Sequence, residues 1–251
     1  MMVRRLALAV AFAALTGGAD AGEVHVAVAA NFTVAAEAIA TAFTAATGDD
    51  VVLSFGATGG LYTQIVQGAP FEVFLAADAE RPALAVTEGL GVEESVVTYA
   101  IGRLALYSAS VNVSDGLNLL RRGTFAHLAI ADPQTAPYGA AAMQVLAANR
   151  LTEALTPKLV VGQNIGQTLQ FVDTGNAELG FVALSQVISQ PPETVWVVPE
   201  SEHAPIHQDA VLLTAGADNP VAVAFLAFLK GEAASAIIES FGYGTAAGAG
   251  S

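Results

Sequence analysis

Hydrophobic and polar positions follow two periods along this chain, and the change from one to the other recurs. Val24, Val26 and Val28 repeat at period two and predict a short strand. From Phe32 the apolar positions Ala35, Ala36, Ile39, Ala40 and Phe43 recur at helical spacing, until Gly48 supplies a stop. Asn31 stands at the junction, where its side-chain oxygen can cap the helix by accepting from a first-turn amide. A strand that runs into a helix N-terminus aims several backbone N–H groups and the positive end of the helix dipole at one point. That is a ready anion site. One such junction is an ordinary βα unit, but this chain builds the same junction repeatedly.

Residues 51–55 predict a second strand, broken by the glycine-rich 56–60 ahead of a short helix with Leu61, Ile65 and Val66; Thr58 stands at its cap position. Residues 71–75 predict a third strand, followed by a helix from Asp78 or Ala79 with Pro82 in its first turn. Strands at 96–101 and 104–107 flank Gly102 and Arg103, the expected crossing between two lobes. A strand at 128–131, a proline-rich turn and a helix from Ala140 to Asn149 repeat the theme, with Tyr138 just before the first turn. The strand at 158–161 precedes Gly162 to Gly166, which open a helix carrying Leu169 and Val172. Strands follow at 178–183, 194–198 and 211–214, then helices from Pro220 and over 232–241, and a Gly/Ala-rich tail expected to fray from Thr245. Strands alternating with helices predict an α/β protein of two lobes, each a parallel-rich mixed sheet flanked by helices, with a ligand in the cleft between them.

Composition supplies an address. Arg4 and Arg5, an apolar run at 6–15 and the small-x-small Ala19-Asp20-Ala21 form a signal peptide, 1–21, expected to be cleaved near Ala21. The apolar run is about half of what a membrane span needs, so export to the periplasm is expected. The chain has no cysteine, hence no disulfide and no thioether lipid anchor. Without Arg4, Arg5 and Asp20, 7 of the 9 basic and 22 of the 23 acidic residues remain, a net charge of −15. That argues against a nucleic-acid partner, which needs clustered Lys and Arg. An anion site on such a chain is expected to consist of neutral dipoles.

Enzyme chemistry finds little support. His25, His127, His203 and His207 form no HExxH, and Pro205 interrupts the i, i+4 pair His203 and His207. Gly-x-Ser-x-Gly, GxGxxG and a Walker Gly-Lys-Ser/Thr are missing, and no carboxylate pair stands out as an acid/base couple. Binding is therefore favoured over catalysis, with no cofactor and no direct protein–metal ligands.

Several blocks, in order, resemble a known family: residues 26–33, 54–60, Gly68-Ala-Pro70 with 74–78, Asp132-Pro133 with Pro137-Tyr138-Gly139, 179–183, and the ending Phe241-Gly242-Tyr243. They are similar to the periplasmic molybdate-binding proteins of ABC transporters, over about residues 24–243. The resemblance implies a two-lobed type II binding-protein fold that closes on a tetrahedral oxyanion, molybdate or tungstate, and delivers it to an inner-membrane ABC permease. It implies a monomer with lobes 22–101 plus 207–251 and 102–206. By motif, the oxyanion positions fall on Asn31, Thr58, Tyr138, through a backbone amide, and Ile165, likewise through an amide. The fifth falls on Ala183, which has no side-chain donor, so that Tyr138 from the opposite side or Ser185 would supply that contact. A donors-only site matches a deprotonated dianion and leaves the O–H of monohydrogen phosphate unpaired, at a cost of roughly 1–3 kcal/mol. Sulfate would have to be rejected by size. The rival readings are a binding protein for sulfate, chromate or a tyrosine-held ferric ion, and an exported hydrolase.

Overall fold

The computed structural model describes residues 21–244. The expected signal peptide, save Ala21, and the expected fraying from Thr245 lie outside the described residues. The chain begins with β1 (Glu23–Ala29), a 3-10 turn at Ala30–Phe32, α1 (Thr33–Thr47), β2 (Asp50–Gly56), α2 (Thr58–Val66), β3 (Val73–Leu75), α3 (Glu80–Thr87) and β4 (Val97–Gly102). Next come β5 (Leu104–Tyr107), α4 (Gly116–Arg122), β6 (Leu128–Ala131), α5 (Pro137–Ala148), α6 (Thr152–Leu155), β7 (Leu159–Gly162) and α7 (Ile165–Asp173). The rest is β8 (Leu179–Ala183), α8 (Leu184–Val187), β9 (Val195–Val197), β10 (Ile206–Leu212), α9 (Pro220–Leu229) and α10 (Glu232–Ser240).

The strands form two five-stranded sheets built on one plan. The first has the order β2-β1-β3-β10-β4, with β1 parallel to β2 and β3, and β10 antiparallel to β3 and β4. The second has the order β7-β6-β8-β5-β9, with β6 parallel to β7 and β8, and β5 antiparallel to β8 and β9. Helices cover both faces, as parallel strands require. In β1 the period of two sends Val24, Val26 and Val28 into a cluster with Phe32, Ile39, Phe43 and Phe225. Ala27 points the other way, among Leu61, Ile65 and Phe74. Phe43 holds α1 against α9 through edge-on contacts with Phe225 and Phe228, at 5.4 and 5.6 Å between ring centres. α1 ends where Gly48 takes a φ of 84° and its N–H donates to the Thr44 carbonyl.

The sheets meet at two crossings. β4 passes into β5 through Arg103 alone, and residues 198–205 return the chain to β10, where Ile206 pairs with Gly102. Gly102 and Ile206, the first and last residues of the expected second lobe 102–206, both lie in the first sheet. Among the described residues no single helix is long and apolar enough to cross a membrane.

Some local expectations are corrected. Asn31 is not an N-cap: it sits inside the 3-10 turn, and Phe32 holds the cap position of α1 without a side-chain bond. Thr58 is the first residue of α2, after Ala57. α5 starts at Pro137, three residues early, because the fixed φ of proline suits a first helical position; this puts Tyr138 inside the first turn. β10 begins at Ile206, five residues before the expected strand, because its polar residues find tertiary partners. The helices α4 and α6 were not expected.

Candidate functional site

The shared plan of the sheets brings three helix starts and one 3-10 turn together. Parallel strands β1 and β2 end level, Ala29 opposite Gly56, and β6 and β7 end level, Ala131 opposite Gly162. The segments leaving these four ends carry Asn31, Thr58, Tyr138 and Ile165. All four line one cavity of about 10 Å³, together with Ala30, Ala57, Ala77 and Ala136. That is room for about one water-sized sphere. First-turn amides have no intrahelical acceptor, so α2, α5 and α7 present N–H groups and dipole ends at this point. No Asp, Glu, Lys, Arg or His lines the cavity.

Each residue is placed by its surroundings. Thr58 is buried, and its Oγ1 accepts from the Ala77 N–H at 3.1 Å, which leaves its own O–H free to donate. Tyr138 is also buried; its hydroxyl accepts from Gln208 Nε2 at 3.2 Å, so the phenol is engaged with the first lobe's strand β10. Gly139 follows it because α5 starts close against β6: a Cβ there would lie 2.2 Å from the Ala131 carbonyl oxygen. Asn164 caps α7, its Oδ1 accepting from the Gln167 N–H at 3.0 Å, and Ile165 buries its side chain beneath the first turn. The Asn31 side chain turns toward Gln208 and Tyr243, donating from Nδ2 at 2.9 and 3.2 Å.

Ala183 and Ser185 do not line this cavity. Ala183 ends β8 with no exposure, in the core of the second lobe, and its N–H donates to Gln186 Oε1. Ser185 borders a second cavity of about 230 Å³, which shares Ala30 and Asn31 with the first. Its Oγ donates to the Asn31 carbonyl at 3.1 Å and contacts Tyr243 Oη at 2.9 Å.

Beside the cavity the lobes are bonded to each other. The Gly59 N–H donates to the Thr135 carbonyl at 2.8 Å, and Arg81 Nη2 donates to the Gln134 carbonyl at 3.2 Å. The Arg81 guanidinium is paired with Asp78, so the nearby cation is neutralised locally. Burial raises the Asp78 carboxyl above its ordinary range, against the pull of Arg81. Burial likewise pushes the Tyr99 and Tyr138 phenols well above theirs, so both stay protonated. Among the described residues no group of three or more His, Cys, Asp or Glu could hold a metal ion.

Gln208, Tyr99, Gly59 and Arg81 were not singled out from the sequence. For Gln208 the only local signal is a polar residue at an inward position of a strand, between Ile206 and Ala210.

Residues 24–244 match the family of bacterial extracellular solute-binding proteins. The chain is 53% identical over 244 residues to the molybdate-binding protein ModA of Azotobacter vinelandii, covering 96% of this chain and 97% of that one. It is 51% identical over 227 residues to the molybdate-binding protein ModA of Rhodobacter capsulatus, covering 90% of each. The solved structure of an Azotobacter vinelandii periplasmic molybdate-binding protein superposes with a TM-score of 0.85 at 38% identity, covering 88% of this chain and 98% of that one.

Proposed function

This chain belongs to the molybdate-binding family of bacterial extracellular solute-binding proteins, and from that membership we propose that it captures molybdate in the interlobe cavity and delivers it to an inner-membrane ABC permease. It acts in the periplasm as a monomer, by binding rather than catalysis. Asn31, Thr58, Tyr138 and Ile165 hold the anion. Tungstate, a dianion of the same charge and shape, is a second ligand.

One observation carries this reading: three helix starts and the 3-10 turn at Asn31, two segments from each sheet, converge on a single cavity without a charged side chain. A dianion there is balanced by amide and hydroxyl dipoles and by the ends of α2, α5 and α7. Because two donors come from each lobe, the anion completes its hydrogen bonds only when the lobes are together, and closure becomes the state a permease can read. The family relationship supplies the identity of the anion; the neutral lining supplies the reason a fully deprotonated one is preferred. The test is elemental analysis of the mature protein after exposure to molybdate and desalting. One molybdenum per chain is expected; none retained would overturn the reading.

A further inference from the structure

Behind Asn31 the chain buries a group of polar side chains that are not needed to form first-turn donors. At its centre is Gln208, on the return strand β10, with no exposure. Gln208 Oε1 accepts from Asn31 Nδ2 at 2.9 Å and from Tyr99 Oη at 3.1 Å, while its Nε2 donates to Tyr138 Oη at 3.2 Å. The β10–β4 ladder is irregular at Gln208 and Asp209, a local distortion of the kind that re-aims a side chain. Gly102, at the end of β4 where it pairs with Ile206, makes room: a Cβ there would lie 2.3 Å from Tyr138 Oη and 2.7 Å from Gln208 Nε2. One amide therefore joins a cavity residue of the first lobe to a cavity residue of the second.

We infer that Gln208 is a positioning residue for the oxyanion cavity: it links Asn31 to Tyr138 when the lobes are together, and reversal of that link turns the Asn31 amide into a donor for the anion. This rests on the reading of the cavity as an oxyanion site. In the arrangement described, both Asn31 side-chain N–H groups are spent on Gln208 and Tyr243, and no donor among the described residues reaches Asn31 Oδ1. Amide orientation and hydroxyl protons are set by the network as a whole, and here a second complete set exists. Turning both amides lets Gln208 Nε2 donate to Asn31 Oδ1 and to Tyr99 Oη, and lets Tyr138 Oη donate to Gln208 Oε1. Tyr99 keeps its bond to the Ala76 carbonyl, 3.0 Å away. Tyr243 turns its proton from the Asn31 carbonyl to Asn31 Oδ1, and Ser185 Oγ still serves that carbonyl. Every member retains a partner, and Asn31 Nδ2 is released as a donor. A dianion selects the second set, because an amide N–H attracts it and an amide oxygen repels it.

Only a side chain that both donates and accepts can take part in both sets. A carboxylate at 208 accepts from Asn31 and Tyr138 alike, which keeps the Asn31 amide turned away and adds negative charge near the anion. The same carboxyl, once protonated, again offers one donor and one acceptor. The titratable groups around this position are Tyr99, Tyr138, Tyr243, Asp209 and Asp78.

The experiment titrates molybdate into wild type, Gln208→Glu and Gln208→Met from about pH 6 to 8.5, a range in which a buried carboxyl can change its protonation, with wild type as the control for every other group. We expect Gln208→Glu to bind at least about tenfold more weakly at the alkaline end, the size of one lost buried hydrogen bond, and to recover as pH falls. Gln208→Met, which fills the space but neither donates nor accepts, should be weaker by about the same factor at every pH. Wild-type affinity in either variant, or an equal pH-independent loss in both, would overturn the inference while leaving the oxyanion reading intact. Silence of wild type would overturn both.

Discussion

The backbone N–H of Gly59 donates to the carbonyl of Thr135 at 2.8 Å, a bond that spans the cleft between the sheets. Thr58, the residue before Gly59, lines the cavity from one side, and Ala136, the residue after Thr135, lines it from the other. Space at this point is limited: a Cβ on Gly59 would stand 3.1 Å from both the Thr135 Cα and Arg81 Nη2. The glycine lets the first turn of α2 approach the second lobe closely, and on the proposed reading this lets cavity donors of both lobes reach one ligand.

A branched side chain at position 59 should therefore hold the cleft ajar. Gly59→Val should weaken molybdate binding by about tenfold or more, since at least one bond across the cleft is lost. It should leave the melting temperature of the ligand-free protein unchanged or slightly raised, because valine is the better helix former. Calorimetric titration and thermal melts on the same samples check both.

Under the proposed reading Thr58 serves two partners, the Ala77 amide and the anion, and its variants should separate them. Thr58→Val removes the donor to the anion and strands the buried Ala77 amide, at a cost of roughly 1–3 kcal/mol in stability. Binding should fall about tenfold to a hundredfold. Thr58→Ser keeps the hydroxyl and should stay close to wild type in both measurements.

Asp78 gives a pH dependence of definite sign. Burial holds its folded-state carboxyl above the ordinary value, so the folded chain keeps a proton that the unfolded chain has released. Its contribution to stability is present at acid pH and is lost as pH rises through the carboxylate range. Denaturant melts of wild type and Asp78→Asn from about pH 4 to 7 should show wild type losing stability relative to the variant as pH increases, then levelling. An opposite slope would mean that the pull of Arg81 outweighs burial.

Ala183 offers a check on the fifth contact. It is fully buried in the core around β8 rather than on the cavity wall. Ala183→Tyr should therefore destabilise the second lobe by about 1–3 kcal/mol or more through overpacking, and should not tighten binding. A variant of wild-type stability with higher affinity would place the fifth contact at 183 after all.

What could be read in advance follows physical range. The strand-to-helix junctions near Asn31, Thr58, Tyr138 and Ile165 were legible because the change of period and the punctuating Gly, Pro and Asn lie within a few neighbouring residues. The fate of each side chain was not. Asn31 looks like a cap from its neighbours, but its amide is claimed by Gln208 and Tyr243, 177 and 212 residues away. The early start of β10 was hidden for the same reason: Gln208 and Asp209 read as polar interruptions until Tyr138, Tyr99 and Thr98 are placed against them. Gly59 read as one of several loop glycines, and only the approach of Thr135 and Arg81 distinguishes it.

On the proposed reading, a neutral, donor-lined cavity holds a fully deprotonated tetrahedral dianion. Its most direct test is calorimetric titration of the anion-stripped mature protein with molybdate, tungstate, sulfate and phosphate at one pH and ionic strength. Tight one-to-one binding of molybdate and tungstate is predicted, with phosphate weaker by at least about tenfold for its unpaired O–H and sulfate weak through poor fit. Silence with molybdate, or phosphate binding as tightly as molybdate, would contradict it.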